Sequence, residues 1–139
     1  MKAKDLMSSN PEIISPETTL KQAAEKMKDQ NIGFLPVGEN DRLIGAITDR
    51  DIVIRGVAEG KEPSKALVRD ILTDEIRYCM QSDSLDKVAD MMSKLQIRRL
   101  AVLNDNKRIV GIISLGDVAT KSKNTEISGK IIEEVSETT

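Results

Sequence analysis

Histidine and tryptophan are absent from this 139-residue chain, cysteine occurs once, and the aromatic side chains are Phe34 and Tyr78 alone. Without histidine, His-based metal sites, Ser-His-Asp triads and Cys-His pairs are excluded. So sparse an aromatic set argues against a base-stacking platform for single-stranded nucleic acid. Cys79 stands alone, so no intramolecular disulfide can form, and a reducing cytoplasm is the expected setting. No apolar run approaches the ~20 residues needed to span a bilayer. No apolar stretch follows Met1-Lys2-Ala3-Lys4-Asp5, so a signal peptide is not expected. A formal net charge of -2 gives no electrostatic case for nucleic acid. Any catalysis would rest on carboxylates, lysines or hydroxyls. No nucleophile-base pair or metal cluster is visible, so neither an enzyme nor a cofactor is expected.

What the chain does have is a duplication. Leu20, Ala23, Ala24 and Met27 stand at i, i+3, i+4 and i+7, and a shift of 65 gives Leu85, Val88, Ala89 and Met92. The same shift carries Asp5-Leu6-Met7 onto Asp70-Ile71-Leu72, Ile32 onto Ile97, and Leu35-Pro36-Val37 onto Leu100-Ala101-Val102. One inserted residue near Lys107 makes the shift 66 and lays Gly45-Ala46-Ile47-Thr48-Asp49-Arg50-Asp51 on Gly111-Ile112-Ile113-Ser114-Leu115-Gly116-Asp117. The division read from this is a first repeat over 1–60, a second over 61–124, and a polar tail helix over 125–139. Units of about 60 residues are marginal alone, so two copies gain by packing together.

Each repeat reads as β-α-β-β-α. A short extended stretch (Glu12 to Ser15; Arg77 to Met80) precedes an amphipathic helix. Thr19 with Gln22 forms a capping box at the first helix; Ser84 caps the second, where Lys87 replaces the reaching partner. Two strands follow, Phe34 to Val37 and Leu43 to Thr48, with Gly38-Glu39-Asn40-Asp41 between them. Their counterparts are Leu100 to Leu103 and Ile109 to Ser114, joined by Asn104-Asp105-Asn106-Lys107. A last helix starts after Thr48 and after Ser114, and the first of these is expected to stop near Gly60.

Candidate chemistry lies where the last strand meets that helix. Thr48-x-x-Asp51 and Ser114-x-x-Asp117 both follow glycine and an apolar pair. A helix N-terminus with a hydroxyl suits a phosphate, and a carboxylate one turn in can accept both hydrogen bonds of a ribose diol. The same tetrapeptide is also an ordinary capping box. Its occurrence at the same place in both repeats gives the first reading its weight.

These motifs, with Ser15-Pro16-Glu17-Thr18-Thr19-Leu20 and Gln96-Ile97-Arg98-Arg99-Leu100-Ala101-Val102, resemble those of CBS domains, over roughly residues 3 to 120. The chain looks most like small bacterial proteins made of one CBS pair. The resemblance implies an α/β (α+β) fold of two repeats packed about a pseudo-twofold axis, a Bateman module, and a regulatory role in binding AMP, ADP, ATP or S-adenosylmethionine. It implies that Asp51 and Asp117 hold ribose and that Thr48 and Ser114 meet phosphate. The backbone near Glu12 and Ile32, and near Arg77 and Ile97, would border adenine. It further implies that Arg98 and Arg99 serve the Thr48 motif, while Gly33-Phe34 leave the Ser114 motif without such charge. A homodimer is expected, with Ile52, Val53, Ile54 and Val57 in its interface. An unidentified protein partner is allowed, and nucleic acid and membrane are not expected. The competing reading is a dimerisation scaffold with empty clefts. Cys79 and Tyr78 read as core residues, and Lys121 and Lys123 as solvated surface.

Overall fold

A computed structural model describes residues 1–72 and 76–121. The proposed tail helix lies outside the described residues. The chain divides into two compact units, Glu12–Ile76 and a second that joins Met1–Pro11 to Arg77–Thr139.

In the unit Glu12–Ile76, helix α2 (Leu20–Gln30) starts at the predicted box: Thr19 Oγ1 accepts from Gln22 N at 3.1 Å, and Gln22 Oε1 accepts from Thr19 N at 3.0 Å. It ends at Asn31 in the left-handed region, φ 54°. Strands β2 (Phe34–Glu39) and β3 (Arg42–Thr48) pair antiparallel with a bulge at Val37/Gly38. The strands run further than their apolar residues suggest, because Asn40 and Asp41 make a two-residue turn with φ 55° and 63°. Two positive φ values match a type I′ hairpin turn, which Asn and Asp tolerate better than most residues. The expected strand at Glu12 to Ser15 is reduced to one parallel bridge, Ile14 to Val37. Pro11 and Pro16 flank it and cannot donate to a ladder.

After β3, helix α3 (Asp49–Asp51) widens into a π-helical turn, Ile52–Val57, in which Ala58 N donates to Val53 O at 2.8 Å. The turn stops short of Gly60, whose φ of 77° suits glycine. Of the four apolar side chains on this turn, Ile52 joins the core; Val53, Ile54 and Val57 stay 57%, 43% and 56% exposed. A 3-10 turn, Val68–Asp70, closes the unit, with Val68 N bonded to Thr18 O at 2.8 Å and Leu20 N to Ala66 O at 3.0 Å.

The other unit holds a four-stranded sheet in the order β1 (Ser8–Ser9), β6 (Ile109–Ser114), β5 (Arg99–Leu103), β4 (Tyr78–Met80). Strand β4 lies parallel to β5, which pairs antiparallel with β6. Helix α4 (Leu85–Leu95) is capped by Ser84, and Lys87 pairs instead with Asp83 at 3.2 Å. Helix α5 (Leu115–Lys121) follows β6. The sheet edge is covered by β1 (Ser8–Ser9), which follows the short helix α1 (Ala3–Leu6).

The sequence repeats and the compact units are therefore offset. Residues 1–9 belong to the first repeat of the sequence yet build onto the second, with Ala3 N bonded to Asp83 O at 2.8 Å and Leu85 N to Met1 O at 3.0 Å. Residues 66–72 do the same for the first repeat through the equivalent bonds at Val68 and Leu20. Each lead-in segment is short and polar on one side, so it folds only by lacing onto the start of a helix.

Cys79 is 1% exposed on β4, as a small core residue should be. Burial, then the charge of Asp83, pushes its thiol up from the ordinary 9.0 to about 12. The fold favours the neutral thiol, so this contribution to stability is intact below pH 9 and is lost as pH rises toward 12. A disulfide reagent at pH 8 is expected to leave the native protein unlabelled and to label it fully in urea. Rapid native labelling would contradict the buried position. Tyr78 differs from its expected core position: the residue is 38% exposed, as is its counterpart Ile13.

Candidate functional site

Both Thr/Ser-x-x-Asp motifs form complete capping boxes. Thr48 N donates to Asp51 Oδ2 at 2.9 Å, and Asp51 N donates to Thr48 Oγ1 at 3.1 Å. Ser114 N donates to Asp117 Oδ2 at 2.9 Å, and Asp117 N donates to Ser114 Oγ at 3.0 Å. Capping does not use up either group. Each hydroxyl accepts in the cap and keeps its own proton to donate. Each carboxylate engages one oxygen in the cap and has a second. All four side chains are half-buried. The two readings of the tetrapeptide are therefore compatible: the cap fixes the rotamers that a ligand would meet.

The glycines before these motifs answer to packing. A Cβ on Gly111 would run into Met7 Sδ and lie 2.8 Å from the Ser8 carbonyl; on Gly45 it would lie 2.8 Å from Leu72 Cδ1. In each unit the lead-in segment packs against the strand at this glycine, where a side chain would clash with it.

The carboxylates differ in their second oxygen. Asp117 Oδ1 pairs with Lys121 Nζ at 3.2 Å, and the same ammonium donates to Leu6 O at 3.2 Å. Lys121 is thus exposed, as expected, and anchored as well. Its counterpart Arg55 makes the equivalent backbone bond, Nη1 to Ile71 O at 3.2 Å, but no ion pair joins it to Asp51 among the described residues. The backbone supplies the reason. Helix α5 keeps α-helical winding, which stacks residues four apart, whereas the chain after Asp51 winds as a π-helix.

The other predicted residues fall at the motifs' margins. The N–H of Ile32 is bonded to Met27 O at 3.0 Å and that of Ile97 to Met92 O at 3.1 Å, so any backbone reading of a base there falls to carbonyls. The Glu12 carboxylate is held below its usual range, first by a hydrogen bond from Lys26 and then by that residue's charge. Arg77 is exposed just before β4. Arg98 and Arg99 are exposed, and Arg99 is the direct cross-strand neighbour of Ser114, while Leu115 N donates to Arg98 O at 2.7 Å. Directly opposed residues share a sheet face. Within its unit the Ser114 motif therefore does have an arginine beside it, which the spacing alone did not reveal. At the equivalent place, Phe34 opposes Thr48, and a Cβ on Gly33 would meet Asp49 Oδ2 at 2.7 Å. Asp49 adds a second carboxylate that the motif reading missed; its signal was its position as the first residue after Thr48.

A family model described as the CBS domain matches residues 3–56 and 68–124. The chain belongs to the CBS-domain family. The CBS domain-containing protein YhcV of Bacillus subtilis is 35% identical over 96% of this chain and 94% of its own length. Hypoxic response protein 1 of Mycobacterium tuberculosis is 37% identical over 84% of this chain and 82% of its own. A crystal structure of Hypoxic Response Protein I with two coordinated zinc ions superposes with a TM-score of 0.79 at 36% identity, covering 86% of this chain and 97% of that one. The CBS domain pair of protein MJ0100, solved with 5-methylthioadenosine and S-adenosyl-L-methionine, gives a TM-score of 0.76 at 28% identity, covering 86% of this chain and 93% of that one. The mixed α/β fold expected from the repeats is the fold of these CBS pairs. Among the described residues, no group of three or more Cys, Asp or Glu side chains could hold a metal ion. No helix of the described residues is long and apolar enough to cross a membrane.

Proposed function

We propose that this CBS pair is a regulatory module without catalysis that binds an adenosine compound and passes its occupancy to its own oligomer or to a protein partner. The observation that carries this reading is the pair of capping boxes, each with a hydroxyl proton for phosphate and a second carboxylate oxygen outside the cap for ribose, the one at Asp117 shared with Lys121. The adenosine ligands of the MJ0100 pair support the ligand class. Asp51 and Asp117 take the ribose diol. Thr48 and Ser114 donate to phosphate, with Arg98 and Arg99 as its cations. Adenine is bordered by the chain near Glu12 and Ile32 and near Arg77 and Ile97.

The test is thermal denaturation across AMP, ADP, ATP, adenosine and S-adenosylmethionine. A ligand at 100 times its dissociation constant adds about 2.7 kcal/mol. A flat panel, with no nucleotide found by mass spectrometry in the purified protein, would replace this reading with the scaffold. One observation favours a scaffold role alongside binding: Val53, Ile54 and Val57 leave an apolar face uncovered. It suits a homodimer, in which a stable interface buries on the order of 1,200 Å2 or more. Sedimentation at micromolar concentration is expected to give twice the monomer mass; a monomer alone would remove the dimer from the proposal.

A further inference from the structure

The two ribose carboxylates have the same cap and different surroundings. Asp117 Oδ1 is engaged by Lys121, and Lys121 is held there by a second bond to Leu6 O. Asp51 has no such cation among the described residues, because Arg55 bonds only to Ile71 O in the equivalent geometry. We infer that Lys121 sets the inequality of the two motifs, by competing with the ribose diol for Asp117. The inference rests on the reading of Asp51 and Asp117 as ribose acceptors.

The chemistry is a contest of donors. A diol offers two neutral O–H donors, and a carboxylate binds it best with an unshared oxygen edge. At Asp117 one oxygen accepts from the Ser114 N–H and the other from an ammonium. An ammonium is the stronger donor to a carboxylate than a hydroxyl is. It is also pre-placed: the Leu6 carbonyl fixes it, and α-helical winding stacks it over Asp117. A neutral diol must share or displace it. At Asp51 the diol meets only the cap. Adenosine therefore binds the Asp51 motif more tightly, and Lys121 is the residue that weakens the other.

The experiment isolates the second motif. Adenosine is titrated calorimetrically into full-length D51A, and into D51A carrying K121Q or K121M. Glutamine keeps a donor for Leu6 O without the charge, so it serves if methionine loosens the N-terminal segment. Removing the ammonium is expected to tighten adenosine about 2- to 5-fold, the range of an exposed ion pair of up to about 1 kcal/mol. An unchanged or weaker affinity in both double variants overturns the inference. Failure of the unsubstituted protein to bind either adenosine or AMP overturns the nucleotide reading itself, and so the two failures are distinguishable.

Discussion

Gly111→Ala is expected to be among the most destabilising single-atom additions in this protein, costing about 3 kcal/mol in urea denaturation, the upper end for overpacking. The new methyl would enter 2.8 Å from the Ser8 carbonyl and closer still to Met7 Sδ. Methionine can swing aside, but Ser8 cannot, because β1 is fixed by its pairing with Gly111 and Ile112. Relief therefore means peeling the edge strand off β6. Gly45→Ala is the internal control. Its methyl meets Leu72 Cδ1, the far end of a flexible side chain. A small clash there is offset by the gain of about 0.4–1 kcal/mol from restricting the unfolded chain. Equal losses in the two variants would show that the lead-in segment does not hold the Gly111 strand as described.

Asp51→Ala is expected to weaken adenosine-nucleotide binding by about 1.5–3 kcal/mol, the range for hydrogen bonds to a charged group, or roughly 10- to 150-fold in Kd. It also removes the bond from Thr48 N, so stability falls by about 0.5–2 kcal/mol. Because the cap is real, a stability loss alone decides nothing; the binding loss is the deciding measurement. Thr48→Ala separates the two effects. It breaks the same box from the other side but leaves the carboxylate for ribose. Calorimetry with AMP and with adenosine is expected to show Asp51→Ala weakening both ligands, and Thr48→Ala weakening AMP more. Equal behaviour of the two variants toward adenosine would mean the carboxylate only caps.

The repeat, the helix starts and both motifs were legible because they are local. A capping box needs only residues i and i+3, and Thr19 with Gln22, Thr48 with Asp51 and Ser114 with Asp117 all formed as spaced. The hairpin turn was harder. The apolar pattern stops at Val37 and resumes at Leu43, yet backbone pairing continues to Glu39 and Arg42 because two residues accept positive φ. What the pattern could not show was register across the chain. Nothing in Asp5-Leu6-Met7 says that it docks beside Gly111, or that Lys121 reaches Leu6 O. The π-helical winding after Asp51 was equally hidden, since Ile52, Val53, Ile54 and Val57 would read as apolar on any helix. That winding is what leaves Arg55 off Asp51.

The lead-in segments also dictate an order of events on the ribosome. Everything in the unit Glu12–Ile76 is contiguous, so it can be complete as soon as residue 76 has emerged. Residues 1–9 have no such partner at hand: Ser8 must wait for Ile112, about a hundred residues later, and the closure of so long a loop is entropically unfavourable. At elongation rates of roughly 5–20 residues per second, that wait lasts on the order of seconds. From the emergence of residue 76 until that of residue 112 the nascent chain carries a finished first unit with a bare N-terminal strip, and the edge of the later sheet stays uncapped until that strip returns to it.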